Sequence, residues 1–132
     1  MELDHIGIAV SDLDEARRLY GEVLGFEVSE PEELPDRGLR ICFVDVGGAQ
    51  VELLYPTAED SAVGKFLASR GPGIHHLCYK VDDIRSKLKA IAAAGARLID
   101  SEPRPGAHGT LVAFIHPKST GGVLTELCQA AD

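Results

Sequence analysis

Four side chains in this sequence are of the types, and at the spacings, that metal or acid–base chemistry requires. His5 lies in LDHIGIAVSDL and His76 in GIHHLCYKVDDI. The stretch from Asp4 to Leu13 lays over the stretch from His75 to Ile84 without a gap, so the pattern recurs after 71 residues. Glu52 lies in VELL and Glu126 in TELC, 47 residues beyond His5 and 50 beyond His76. Each half thus offers one histidine early and one glutamate late. Two imidazoles and two carboxylates suit a divalent ion such as Zn, Fe, Co, Ni or Mn better than Ca or Mg. Fewer than six protein ligands leave positions open for substrate. A lone strand histidine is more often a packed structural residue, and a lone strand glutamate usually faces solvent. The repetition of both, at matched places, argues for a shared site.

The elements that position these residues follow from periodicity. Leu3 to Val10 alternates as a strand, with Ile6, Ile8 and Val10 on a face for covering helices and His5, Gly7 and Ala9 on the other. Ser11 or Asp12 can cap a helix whose apolar residues are Leu13, Ala16, Leu19, Tyr20 and Leu24, and Gly25 is placed to end it. A short strand from Phe26 to Ser29, a solvated loop from Glu30 to Asp36, and a hairpin of Leu39 to Val46 with Ala49 to Tyr55 complete the first half. Pro56 to Gly71 connects, with a short helix capped by Asp60 or Ser61 and faced by Val63, Phe66 and Leu67. The second half reads as strand Ile74 to Val81, a helix from Ile84 to Ala94 stopped by Gly95, and strands Arg97 to Asp100, Leu111 to His116 and Val123 to Cys128. The fold class is therefore expected to be α+β: two paired βαβββ modules forming a curved, partly open mixed sheet. The chain is read as a single domain, 1–132, with module 1 over about 1–56, a connector over 57–72 and module 2 over 73–130.

Further residues enter as candidates. His76, Cys78 and Lys80 share one strand face, which turns His75 to the other, toward packing or a helix. His108, in a Gly-rich loop, and His116, before Pro117, are candidate substrate contacts. Lys118 and Arg104 are candidate anion contacts, though surface charge alone explains either.

Bulk properties narrow the function. A formal charge of −8 excludes a nucleic-acid role, since phosphate binding needs a basic face. No stretch approaches the 18 or so apolar residues of a membrane span. Cys42, Cys78 and Cys128 are odd in number and far apart, as reduced thiols are. The N-terminus carries acids where a signal peptide carries basic residues, which predicts an uncleaved cytoplasmic protein.

The stretches LDHIGIAVSDL, VELLYPTAEDSAVGKFL, GIHHLCYKVDDI and HPKSTGGVLTELCQ carry a resemblance over the whole chain. The chain resembles the vicinal oxygen chelate superfamily, the group of glyoxalase I, extradiol dioxygenases and bleomycin-resistance proteins. Within it the chain is most similar to the methylmalonyl-CoA epimerases. The resemblance implies the vicinal oxygen chelate fold, an isomerase of the racemase/epimerase class, and a small acyl-CoA substrate. The implied reaction interconverts the 2R and 2S forms of methylmalonyl-CoA by α-proton abstraction through a metal-stabilised enolate. His5, Glu52, His76 and Glu126 would be the metal ligands, Co2+ the first choice, with Zn2+, Ni2+ or Mn2+ as substitutes. A homodimer is implied too. Glu126 would be both ligand and base. Some epimerases place a second acid/base carboxylate three residues after a glycine on the third strand. Here that position, after Gly38, is Ile41 preceded by Arg40, which leaves Glu52 as the candidate for the second base. A glyoxalase I-type isomerase, an epimerase of another acyl-CoA, and a metal-free binding protein of the same fold are the alternatives.

Overall fold

The computed structural model describes residues 1–132. Its contacts divide the chain into two compact units, one of His5–His75 and one joining Met1–Asp4 to His76–Asp132. The fold is α+β, and each unit carries a mixed sheet with helices.

In the first unit, β1 (Glu2–Ala9) runs parallel to β5 (Gln50–Pro56), which pairs antiparallel with β4 (Leu39–Asp45). β2 (Glu27–Val28) and β3 (Glu32–Leu34) both pair antiparallel with β4. Helix α1 (Leu13–Arg18) starts at Asp12, whose carboxylate accepts from the backbone N–H of Glu15 at 3.0 Å, and runs on as a π-helical turn, Leu19–Val23. Leu13, Ala16 and the partly buried Tyr20 pack on Val10, Cys42, Val44, Val51 and Leu53, with Ile8 beside them. Ile8 and Val10 do face the helix side, as strand alternation requires. Helix α2 (Ala62–Arg70) is capped by Ser61, which accepts from Gly64 N at 3.1 Å. Its Val63, Phe66 and Leu67 pack on the other face of the sheet, against Ala9, Leu39, Ile41 and Leu54.

The second unit repeats the plan. β6 (Gly73–Lys80) runs parallel to β9 (Thr125–Gln129), β9 antiparallel to β8 (Leu111–Ile115), and β8 antiparallel to β7 (Arg104–Pro105). Helix α3 (Ile84–Ala93) is capped by Asp83 and buries Ile84 and Leu88 on Val81, Ala113, Ile115 and Leu127.

Two expectations are corrected. The loop at Glu30–Asp36 contains β3; Pro31 and Pro35 bracket that strand, so neither missing N–H falls within its ladder. The strand expected at Arg97–Asp100 is reduced to one bridge, Leu98 to Ile115. Asp100 meets β8 with its side chain, its Oδ2 accepting from Phe114 N at 2.8 Å, where a strand would have offered a carbonyl.

Candidate active site

Parallel pairing decides which side chains meet. In the first unit the register sets Gly7 opposite Glu52, with His5 two residues back on the same face. Gly7 has no side chain, so His5 and Glu52 approach across it. His5 Nδ1 lies 3.0 Å from Glu52 Oε2, with side chains 7% and 15% exposed. In the second unit Cys78 stands opposite Glu126, with His76 two residues back. His76 Nε2 lies 3.2 Å from Glu126 Oε1, with side chains 7% and 4% exposed. The two halves therefore build the same His–Glu pair from the same register. Cys78 takes the place of Gly7, and it packs with Val112 and Cys128. That layer accounts for the deeper burial of Glu126.

The pairs fit the ligands of one kind of ion. Imidazole nitrogen and carboxylate oxygen are the donors that mid- and late-series divalent metals favour. Adjacent ligand atoms at about 2.1 Å from an ion and at right angles to each other stand about 3.0 Å apart, which is the spacing found within each pair. An ordinary His–carboxylate hydrogen bond has that spacing too. Burial of all four groups favours the ligand reading, because a buried carboxylate needs strong partners.

The other candidates fall elsewhere. His75 packs its ring against Phe66 of α2, with centroids 5.0 Å apart at 76°. Arg104 is taken up by Asp100, its Nε 3.2 Å from Oδ1. His108 is exposed and is the one non-glycine residue at positive φ, 57°. His116 caps the 3-10 turn Pro117–Ser119, its Nδ1 accepting from Lys118 N at 3.1 Å. Desolvation, then the charges of Arg97 and Lys118, hold its pKa below the ordinary imidazole value. The buried Cys78 thiol is pushed upward by its hydrogen bond with Cys128, by desolvation and by the Glu126 charge, so it remains a neutral neighbour of Glu126.

The sequence reading missed two phenylalanines. Phe43 stands opposite Glu52 and Phe114 opposite Glu126, each on the strand flanking the glutamate from the other side. Their signal was present, since they too lie 71 residues apart.

The model of the glyoxalase/bleomycin resistance protein/dioxygenase superfamily matches residues 4–114. The chain is 43% identical over 129 residues to the mitochondrial methylmalonyl-CoA epimerase of Bos taurus, covering 97% of this chain and 74% of that one. It is 43% identical over 129 residues to the ethylmalonyl-CoA/methylmalonyl-CoA epimerase of Cereibacter sphaeroides, covering 96% of each. A variant of Streptomyces coelicolor methylmalonyl-CoA epimerase, solved in complex with 2-nitronate-propionyl-CoA, superposes with a TM-score of 0.94 at 40% identity, covering 100% of this chain and 99% of that one.

Proposed function

We propose that this chain, which belongs to the methylmalonyl-CoA epimerases of the glyoxalase/bleomycin resistance protein/dioxygenase superfamily, interconverts the 2R and 2S forms of methylmalonyl-CoA. The observation that carries the chemistry is the duplicated His–Glu pair, His5–Glu52 and His76–Glu126, each built over the same register of a parallel strand pair.

The substrate's reacting carbon lies between a carboxylate and a thioester carbonyl, and its C–H is too weak an acid for an unaided carboxylate at neutral pH. In this reading His5, Glu52, His76 and Glu126 hold one divalent ion, with cobalt the first choice. When bound, the ion supplies Lewis-acid stabilisation of the negative charge that develops on the thioester oxygen. The chain's own residues do the rest. Inversion needs a proton carrier for each face of the carbon, and the duplication supplies one carboxylate per half. Glu126, 3% exposed and held against His76 Nε2, takes the α-proton from one face. Glu52, held against His5 Nδ1, serves the other. Phe43 and Phe114 flank the two carboxylates with apolar surface, which keeps bulk water from them.

The reading extends to a cytoplasmic homodimer. No helix is long and apolar enough to cross a membrane. Leu19, Val23, Leu24 and Phe26, on and after the π-helical turn, leave 38% to 57% of their surface exposed, an apolar patch that a second copy would cover.

Circular dichroism of enantiopure (2S)-methylmalonyl-CoA tests the activity, with the hemithioacetal of methylglyoxal and glutathione as the competing substrate. Metal content is measured on the same sample. Loss of optical activity with one ion per chain is expected. Turnover of the hemithioacetal alone would replace this reading with a glyoxalase.

A further inference from the structure

Phe114 is gripped at both of its backbone polar atoms by one short segment. Its N–H donates to Asp100 Oδ2 at 2.8 Å. Its carbonyl accepts from Ile99 N at 2.9 Å and Asp100 N at 3.2 Å. Asp100 is itself held by Arg104 and is 14% exposed. The first unit repeats the figure at Phe43. There the N–H donates to Ser29 Oγ at 2.8 Å and the carbonyl accepts from Ser29 N at 2.8 Å. Ser29 and Asp100 are 71 residues apart, as Phe43 and Phe114 are. The gripping residue has changed chemical type between the halves, a neutral hydroxyl in one and a carboxylate in the other. What both halves keep is the two-point hold on a phenylalanine directly opposite a site glutamate.

The hold reaches the site through the ring. Phe114 meets the His76 imidazole edge to face, with centroids 5.6 Å apart at 84°. Aromatic pairs favour this geometry, and it restricts rotation of the imidazole about its own axis. A ring whose backbone is fixed at both polar atoms cannot drift along the strand, so the imidazole it touches is fixed as well. His76 Nε2 then has one direction relative to Glu126 Oε1.

We propose that Phe114, held by Asp100, is a positioning residue for His76, setting the imidazole plane that directs its nitrogen; this rests on the metal-dependent epimerase reading. Neither Asp100 nor Phe114 is a ligand or an acid/base in that role. Support of this kind, one layer beyond the ligands, is worth about 10- to 100-fold in metal affinity where it has been removed from other sites.

Cobalt titration of the metal-stripped full chain by calorimetry, together with the visible absorption of the cobalt-loaded protein, tests this. Phe114→Leu and Asp100→Ala are expected to bind Co2+ about 10- to 100-fold more weakly and to shift the cobalt bands. Phe114→Tyr, which keeps the ring, is expected to match the wild type. Ile91→Ala is the control for stability alone. It thins the packing of α3 on the helix side of the sheet, so it is expected to lower Tm with unchanged cobalt affinity and spectrum. The inference is overturned if Phe114→Leu and Asp100→Ala bind and absorb as wild type, or if Ile91→Ala weakens binding as much as they do. Wild-type protein that takes up no divalent ion at all would instead overturn the metal reading, and this inference with it.

Discussion

Glu126→Gln separates the two carboxylates most sharply. The substitution keeps the side chain's shape and removes its charge and basicity. Glu126 is 3% exposed and its Oε1 lies 3.2 Å from His76 Nε2. A glutamine oxygen can still accept there, and burying a neutral amide costs less desolvation than burying a carboxylate. Stability should therefore change by no more than about 1 kcal/mol. Catalysis should change far more. Loss of a general base costs about 10²- to 10⁴-fold, equivalent to roughly 3–5 kcal/mol in the barrier at 1.36 kcal/mol per tenfold. The loss should also be one-sided. With Glu52 intact, one epimer should still exchange its α-hydrogen with solvent and keep its configuration, while the other neither exchanges nor inverts. The assay is NMR of each pure epimer in D₂O, with thermal melts and metal content measured on the same preparation. Racemisation within tenfold of wild type, with full metal occupancy, would refute Glu126 as the base. Equal loss of exchange from both epimers at full occupancy would refute a two-base arrangement.

Three further outcomes follow from the local physics. Burial pushes the Cys42 thiol up, against the opposing charge of Arg17, so the folded state holds its proton more tightly than the unfolded chain does. Stability is thus fully present below the ordinary thiol value and should fall as pH rises above about 9, a loss that Cys42→Ala should flatten in melts from pH 8 to 10. His116 has the opposite sign. Its lowered pKa means that stability is fully present above about 6.5 and is lost as pH falls through the folded value, so His116→Asn should flatten the melting curve between pH 7 and 5. Gly64→Ala sets helix propensity against sterics. Alanine would gain up to about 1 kcal/mol in α2, but its Cβ would stand 2.6 Å from Glu59 O and 2.8 Å from Ala58 O, both backbone. The net change should be destabilising by about 1–3 kcal/mol, and a raised Tm would contradict it.

The repeat made much of this readable. His5, Glu52, His76 and Glu126 could be paired because strand alternation and a 71-residue period are both visible in one sequence. Caps at Asp12, Ser61 and Asp83 were legible for a similar reason, since the capping oxygen and the N–H it serves lie three residues apart. Strand ends were harder. Glu32–Leu34 pairs with β4 although prolines flank it, and nothing local to EEL announces a partner. Arg97–Asp100 has strand-like residues, yet Asp100 spends its carboxylate on Phe114 N, a choice set by a strand 14 residues away. Phe43 and Phe114 passed as ordinary core residues because phenylalanine in a strand has no chemical signature. Only the register opposite each glutamate shows what they flank.

The central claim is metal-dependent proton exchange at the α-carbon, and it is tested by NMR of methylmalonyl-CoA in D₂O, once with cobalt added and once with EDTA. The account predicts rapid deuterium incorporation with loss of optical purity in cobalt, and suppression of both in EDTA. Incorporation at the same rate in EDTA, or none in cobalt with the ion confirmed bound, would contradict it.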